Sequence, residues 1–254
     1  MEIGYDDFLA EIYDYAPYFG KERREHDYAT SYYLSHLPEV NKGKILEWVT
    51  CTGLLTIPLA RAGYSIESVD ASASVHEIVK RKLRGEKSCV LNNIALRCEN
   101  VLEYSSIERF SAIVMPDSFL QAVPNERLQE KLIERSYEYL KDGGILIMDN
   151  FNPWEGVIKK KEMDQVSRFR TERGKVYIMK VHHLVDEYRQ LHEFQFEWLP
   201  YGEEKVIRRT ITYRYLFRWQ LVELLRMKGY KILDIHPHMN YGTNNAIVAQ
   251  KVKI

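Results

Sequence analysis

Between residues 43 and 150 the chain repeats one unit, a short apolar run followed by a helix-like stretch. This repeat limits the possible folds more than any other feature. GKILEWV (43–49) reads as a buried strand, and LLTIPLARAG (54–63) as a helix closed by Gly63. A strand at 65–69 ends in Asp70, and a helix at about 74–84 follows, with Ser72 or Ser74 as its cap. ALRCEN (95–100) is strand-like and FSAIVM (110–115) is a clearer strand. A helix over about 125–140 is expected to break at Gly143-Gly144, ahead of a fifth strand, ILIMDN (145–150). Two Tyr-rich helices, near 5–17 and 27–37, precede the first strand. Strands that alternate with helices pair in parallel, because each crossover needs a helix packed on the sheet. The expectation is an α/β fold with a mostly parallel sheet and helices on both faces.

The period changes near residue 152. Tyr177, Met179, Val181, His183 and Val185 alternate with mostly polar neighbours, as one face of a strand does. His192, Phe194, Phe196 and Trp198 oppose Glu193, Gln195 and Glu197, and Ile211, Tyr213, Tyr215 and Phe217 oppose Thr210, Thr212 and Arg214. Asp186–Gln190 and Pro200–Glu204 read as turns between them. The result is an antiparallel meander of three or four strands. A helix at about 218–228, ended by Gly229, and strands at 231–235 and 245–252 return the chain to the main sheet, which then has seven strands. The expected division is a main domain of residues 1–152 and 218–254, with an antiparallel lid at 153–217.

Charge sets limits on partners. Lys+Arg and Asp+Glu number 36 each, so no global field draws the chain to nucleic acid or a membrane surface, and a small, roughly neutral partner is expected. The first 20 residues lack a basic region followed by an apolar core, and no run approaches the roughly 18 apolar residues of a membrane span. Cys51, Cys89 and Cys98 form no CxxC pair, which fits reduced thiols in a cytoplasm. The meander's exposed strands offer an edge that a homodimer would extend.

In an open α/β sheet a ligand sits beyond the carboxyl ends of the strands, beside strand 1. Glu47-Trp48-Val49-Thr50-Cys51-Thr52-Gly53 leads from that strand into a helix whose N-terminus suits a carboxylate. Asp70 ends strand 2 about 20 residues on, where a carboxylate takes a ribose diol. Asn100-Val101 ends strand 3, placed to read an adenine edge. With no Gly-Lys-Ser phosphate cradle, this is a nucleoside site.

ILEWVTCTGLLTIPLARAGYSIESVDAS resembles the opening of class I S-adenosylmethionine-dependent methyltransferases. FSAIVMPDSFLQAV and LKDGGILIMDNFNP are similar to the fourth- and fifth-strand motifs of that family, and REHDYATSYYL also fits it. The meander resembles the lid sheet of small-molecule N-methyltransferases. The resemblance implies a Rossmann-like fold, S-adenosylmethionine as cofactor, and methyl transfer to a nitrogen or oxygen of a small metabolite. It places Tyr13, Tyr18, Glu47, Val49, Cys51, Gly53, Asp70, Ala71, Asn100, Val101 and Met115 around the cofactor, with Glu47 near its ammonium. It places Asp117 and Gln121 beside the reacting centre, and Ser118, Trp154, His236, His238 and Tyr241 near the acceptor. Gln121 stands where similar families often carry His, and Gln cannot act as a base. Val49 and Cys51 replace the family's first two turn glycines. A β-branched residue is strained at positive φ, so the expectation is a reshaped turn or a cofactor held differently. That departure leaves two alternatives to methyl transfer: a non-catalytic binding protein, or another reaction at the sulfonium. No metal is expected, because the histidines (His182-His183, His192, His236, His238) lack a completing ligand set.

Overall fold

The structure, a computed structural model, describes residues 6–20, 28–151, 158, 162–239 and 244–252. The first helix, α1 (Asp7–Ile12), is followed by α2 (Tyr28–His36), β1 (Ile45–Trp48), α3 (Thr56–Arg61), β2 (Ile66–Asp70), α4 (Ala73–Lys82), α5 (Ser88–Leu91) and β3 (Ile94–Cys98). Next come β4 (Phe110–Met115), α6 (Phe119–Ala122), α7 (Glu126–Tyr139) and β5 (Leu140–Phe151). A meander follows: β6 (Glu162–Arg170), β7 (Val176–Asp186), β8 (Leu191–Pro200) and β9 (Ile207–Arg214). The last elements are α8 (Arg218–Met227), β10 (Tyr230–Met239) and β11 (Asn244–Lys251).

The main sheet has seven strands in the order β10-β11-β5-β4-β1-β2-β3. Strands β1 to β5 pair in parallel, and β11 runs antiparallel between β5 and β10. Chain order reverses between β1 and β4, which opens a crevice beyond their carboxyl ends. Both central strands are buried along their whole length, as strands covered on two faces must be. Leu46, Trp48, Ile113 and Met115 pack against α7 and α8, while Ile45, Ala112 and Val114 pack on the α2 and α3 side.

The meander forms a separate four-stranded antiparallel sheet, β6-β7-β8-β9. Along β8 burial alternates residue by residue, so His192, Phe194, Phe196 and Trp198 form one covered face. Leu9 and Ile12 of α1 pack onto that face with Met179, Val181 and Trp198. A fully buried large apolar side chain is worth roughly 1.5–3 kcal/mol, so this cluster holds the N-terminal segment and the lid sheet together.

Three local expectations change. Helix α7 ends at Tyr139, before the glycine pair, and β5 begins at Leu140. Gly144 lies inside that strand, where a Cβ would meet the Lys141 carbonyl oxygen at 2.8 Å, so the position requires glycine. Helix α1 is shorter than the apolar pattern predicts, since Pro17 and the positive φ of Tyr18 (70°) belong to a run of turns. Strand β9 stops at Arg214: the Leu216 carbonyl accepts from Asn150 Nδ2 at 3.0 Å, which draws the following segment onto the main sheet.

Candidate active site

The turn after β1 is not reshaped. Val49, Cys51 and Gly53 have φ of 71°, 47° and 79°, the backbone path that glycines would take without strain. Polar contacts hold it from both sides. Beneath it, buried Glu47 accepts from Thr56 Oγ1 at 2.5 Å and from Ser68 Oγ at 2.6 Å, and Ser68 Oγ lies 2.7 Å from Thr50 Oγ1. From the N-terminal segment, buried Asp14 accepts from the Thr52 hydroxyl and pairs with Lys82 at 2.5 Å; Lys82 also donates to the Thr52 carbonyl at 2.7 Å. Positive φ at non-glycine residues costs of order 1–3 kcal/mol each and persists only where surrounding contacts enforce it. A paired substitution isolates this strain. Glycine is normally the less stable choice against alanine, but Val49→Gly is expected to be more stable than Val49→Ala by about 1 kcal/mol, read from denaturant midpoints. The opposite order would mean that Val49 carries no backbone strain.

A second strained turn follows β4. Asp117 (φ 58°) and Ser118 (φ 54°) are consecutive left-handed residues. Buried Asp149, at the end of β5, accepts from both of their backbone N–H groups, at 2.9 and 3.1 Å. It also accepts from Tyr33 Oη at 2.7 Å and Asn244 Nδ2 at 3.1 Å. So held, the turn carries the Asp117 side chain to the crevice, where Tyr13 Oη donates to it at 3.0 Å. The Tyr13 hydroxyl also lies 3.5 Å from Cys51 Sγ. Burial, with Asp117 and Asp70 nearby, pushes the Cys51 thiol up, which keeps it protonated.

The crevice is a cleft of about 390 Å³. Its main-sheet wall includes Val49, Cys51, Asp70, Ala71, Val101 and Asp117, six residues the sequence reading had marked. Asp70 accepts from the backbone N–H of Cys51 (3.2 Å) and of Ser72 (2.9 Å). Burial nevertheless raises its carboxyl to about 6.

Other marked residues lie off the wall. Glu47 is buried beneath the turn, Gly53 closes the turn off the cleft wall, and Met115 is fully buried with its carbonyl accepting from Tyr33 at 3.3 Å. Asn100 turns back to accept from the Leu102 N–H at 2.9 Å. Buried Gln121 donates to the Phe151 carbonyl at 2.9 Å, and Ser118 Oγ accepts from Asn244. The Tyr18 hydroxyl lies 3.3 Å from His183 Nε2, under the lid sheet. His236 is exposed beside Tyr32. Trp154, Tyr241 and the His238 side chain lie outside the described residues. Asp149, which holds the turn after β4, and the lining residues Phe119, Pro124 and Arg209 to Tyr213 of β9 are not among the residues marked from sequence.

A family model described as the methyltransferase small domain matches residues 16–178, more than half of the sequence. The chain belongs to that family. It is a class I S-adenosylmethionine-dependent methyltransferase. A glycine/sarcosine N-methyltransferase of Aphanothece halophytica is 29% identical over 122 residues, 48% of this chain and 45% of that protein. The chain thus spans less than half the length of this curated relative. Among solved structures, the CcbJ methyltransferase of Streptomyces caelestis superposes with a TM-score of 0.76 at 17% identity, covering 98% of this chain and 100% of that one. CalS10, an amino pentose methyltransferase of Micromonospora echinaspora, gives 0.70 at 12% identity, covering 91% and 92%.

The cleft of this methyltransferase suits its cofactor. Asp70 is a buried carboxylate at the end of β2 whose charged form is penalised by burial, so hydroxyl donors from a ribose diol would relieve it. Ala71, Val101 and Phe119 line the cleft with apolar surface, which fits the flat face of a base. The turn at Val49–Gly53 keeps the backbone path that brings N–H groups close to a ligand. Among the described residues, no helix is long and apolar enough to cross a membrane.

Proposed function

We propose that this methyltransferase transfers a methyl group to the amine nitrogen of a small molecule, with Asp117 as the residue that binds and orients the acceptor. The observation that carries this reading is the Asp117 carboxylate, delivered to the cleft by a strained turn and steadied by Tyr13. Strain maintained in this way is common at functional sites. The other carboxylate on the main-sheet wall is Asp70, and across the cleft Arg209 of β9 is ion-paired to Asp6 at 2.5 Å, both of them lining it. A cleft of this charge favours a cationic or hydrogen-bond-donating acceptor. The curated relative's name, an N-methyltransferase, supports nitrogen over oxygen.

S-adenosylmethionine supplies a methyl group already activated on a sulfonium. What the protein adds is alignment and the exclusion of water. Asp117 would accept a hydrogen bond from the acceptor amine and fix its lone pair toward the cofactor side of the cleft. Tyr13 and Cys51 pack behind that carboxylate, and β9 closes the cleft from the lid side. The non-catalytic alternative drew its motive from a reshaped turn, and the turn keeps its shape.

Calorimetry with S-adenosylhomocysteine and an amine screen test this together. Wild-type protein is expected to bind S-adenosylhomocysteine at micromolar concentrations. Asp117→Ala should keep that affinity and lose about 10²–10³-fold in turnover. Normal turnover in Asp117→Ala would remove Asp117 from the reaction.

A further inference from the structure

The lid-side wall of the cleft is the edge of a strand. Five consecutive residues, Arg209, Thr210, Ile211, Thr212 and Tyr213, line it. Alternate residues of a strand point to opposite faces, so an unbroken run of this kind presents the backbone. Among the described residues, strand β9 is the outermost of the lid sheet and pairs only with β8.

The register shows which backbone groups face the cleft. The Tyr215 N–H donates to the Gln190 carbonyl at 2.9 Å, so the residues of β9 that bond to β8 are the odd-numbered ones. The even-numbered residues direct their N–H and C=O groups outward. Two contacts agree with this: the Arg214 carbonyl accepts from Gln129 Nε2 at 3.0 Å, and the Arg208 carbonyl accepts from Arg209 at 2.6 Å. Between those two covered positions, Thr210 and Thr212 have no backbone partner on the outer edge among the described residues. They leave two donors and two acceptors in the cleft wall, spaced about 7 Å apart along the strand.

We propose that the acceptor is an extended, amide-bearing amine, peptide-like in its backbone, that pairs with Thr210 and Thr212 as an added strand while its amine reaches Asp117. This inference rests on the methyl-transfer reading and specifies its substrate class. An unpaired strand edge is a template for another chain. An extended peptide repeats its own N–H and C=O pair at the same two-residue spacing. The acidic cleft suits the ammonium end of such a molecule, because Asp70 and Asp117 line it and Arg209 is tied to Asp6.

The test is calorimetric, on the full chain with and without S-adenosylhomocysteine. The probes are glycylglycylglycine, its depsipeptide analogue with the first of its two amides replaced by an ester, and hexylamine. Triglycine is expected to bind about tenfold more tightly than the ester analogue or hexylamine, the value of one or two added hydrogen bonds. Equal affinity of the three probes overturns the proposal and needs no variant. Thr212→Pro removes an outward N–H without touching the β8 ladder, a placement that edge strands tolerate. It should erase the preference for triglycine, whereas Thr212→Val should keep it, with the melting temperatures of both compared. A preserved preference in Thr212→Pro also overturns the proposal. Failure of S-adenosylhomocysteine to bind would count against the methyl-transfer reading, and the amide preference would still be read on the protein alone.

Discussion

Replacing Asp149 by alanine is expected to destabilise the protein by about 3–5 kcal/mol, the cost of breaking a buried charged network. One carboxylate accepts from the backbone of Asp117 and Ser118, from the Tyr33 hydroxyl and from the Asn244 amide, and all four donors lose it together. Two of these donors belong to consecutive left-handed residues, which have little reason to hold that conformation once the carboxylate is gone. Asp117 would then leave its position, and turnover should fall about 10²-fold or more, as small misplacements of reacting groups do. The bonds of Asp149 go to the turn after β4 and to Tyr33 and Asn244, apart from the Val49–Gly53 turn, so affinity for S-adenosylhomocysteine should stay close to wild type. Asp149→Asn keeps the shape but can accept through one oxygen only, and should fall between. Tyr33→Phe removes one of the four bonds and should cost about 1.5–3 kcal/mol, the range for a bond to a charged group. Urea unfolding of the three variants checks the series. A loss below about 1 kcal/mol in Asp149→Ala would show that the turn holds itself.

Asp149 also shows what a sequence can and cannot disclose. It ends an apolar strand as a lone carboxylate, the same signal that marked Asp70, and the signal was present in ILIMDN. Its role was hidden because it acts on backbone groups of a turn that no residue type demands. Asp and Ser visit the left-handed region only occasionally, and nothing in MPDSF announces two in a row. The parallel sheet, by contrast, was legible from periodicity, which is a property of whole segments and survives errors at their ends. The main-sheet side of the cleft was approachable from topology: Val49, Cys51, Asp70, Ala71, Val101 and Asp117, which line it, all sit at or shortly after strand ends. Glu47 and Met115 fell off that wall because strand ends alternate faces, and one residue decides whether a side chain meets the ligand or the core. Gln121 sits on a four-residue helix whose rotation is set by packing against β5 and β9. For β9, alternation separated Ile211 and Tyr213 from Thr210 and Thr212. It could not say that the strand's edge, and not either face, borders the cleft.

The second large effect concerns Asp70 and pH. Burial lifts its carboxyl to about 6, although three backbone N–H groups pull it the other way. In the unfolded chain it titrates near 4, so over roughly pH 4–6 the folded state holds more protons, and this group's contribution to stability falls as pH rises through that window. Above pH 6 the ionised carboxylate costs about 3 kcal/mol relative to an exposed one. His192 works in the opposite sense: burial lowers it to about 4, so its contribution is lost as pH falls through roughly 6.5 to 4. The two nearly cancel in unfolding, and ligand binding is the cleaner readout. Hydroxyl donors on Asp70 favour its charged form, so S-adenosylhomocysteine should bind with constant affinity above about pH 7 and weaken up to about tenfold per pH unit below 6. Binding at pH 6 should release protons, seen as a dependence of the calorimetric heat on buffer ionisation enthalpy. Asp70→Asn removes the buried charge and is expected to bind about 10²-fold more weakly at neutral pH, with no such pH slope, since two charge-assisted bonds are lost. If Asp70→Asn keeps the wild-type slope, the proton belongs to another group, and the diol does not rest on Asp70.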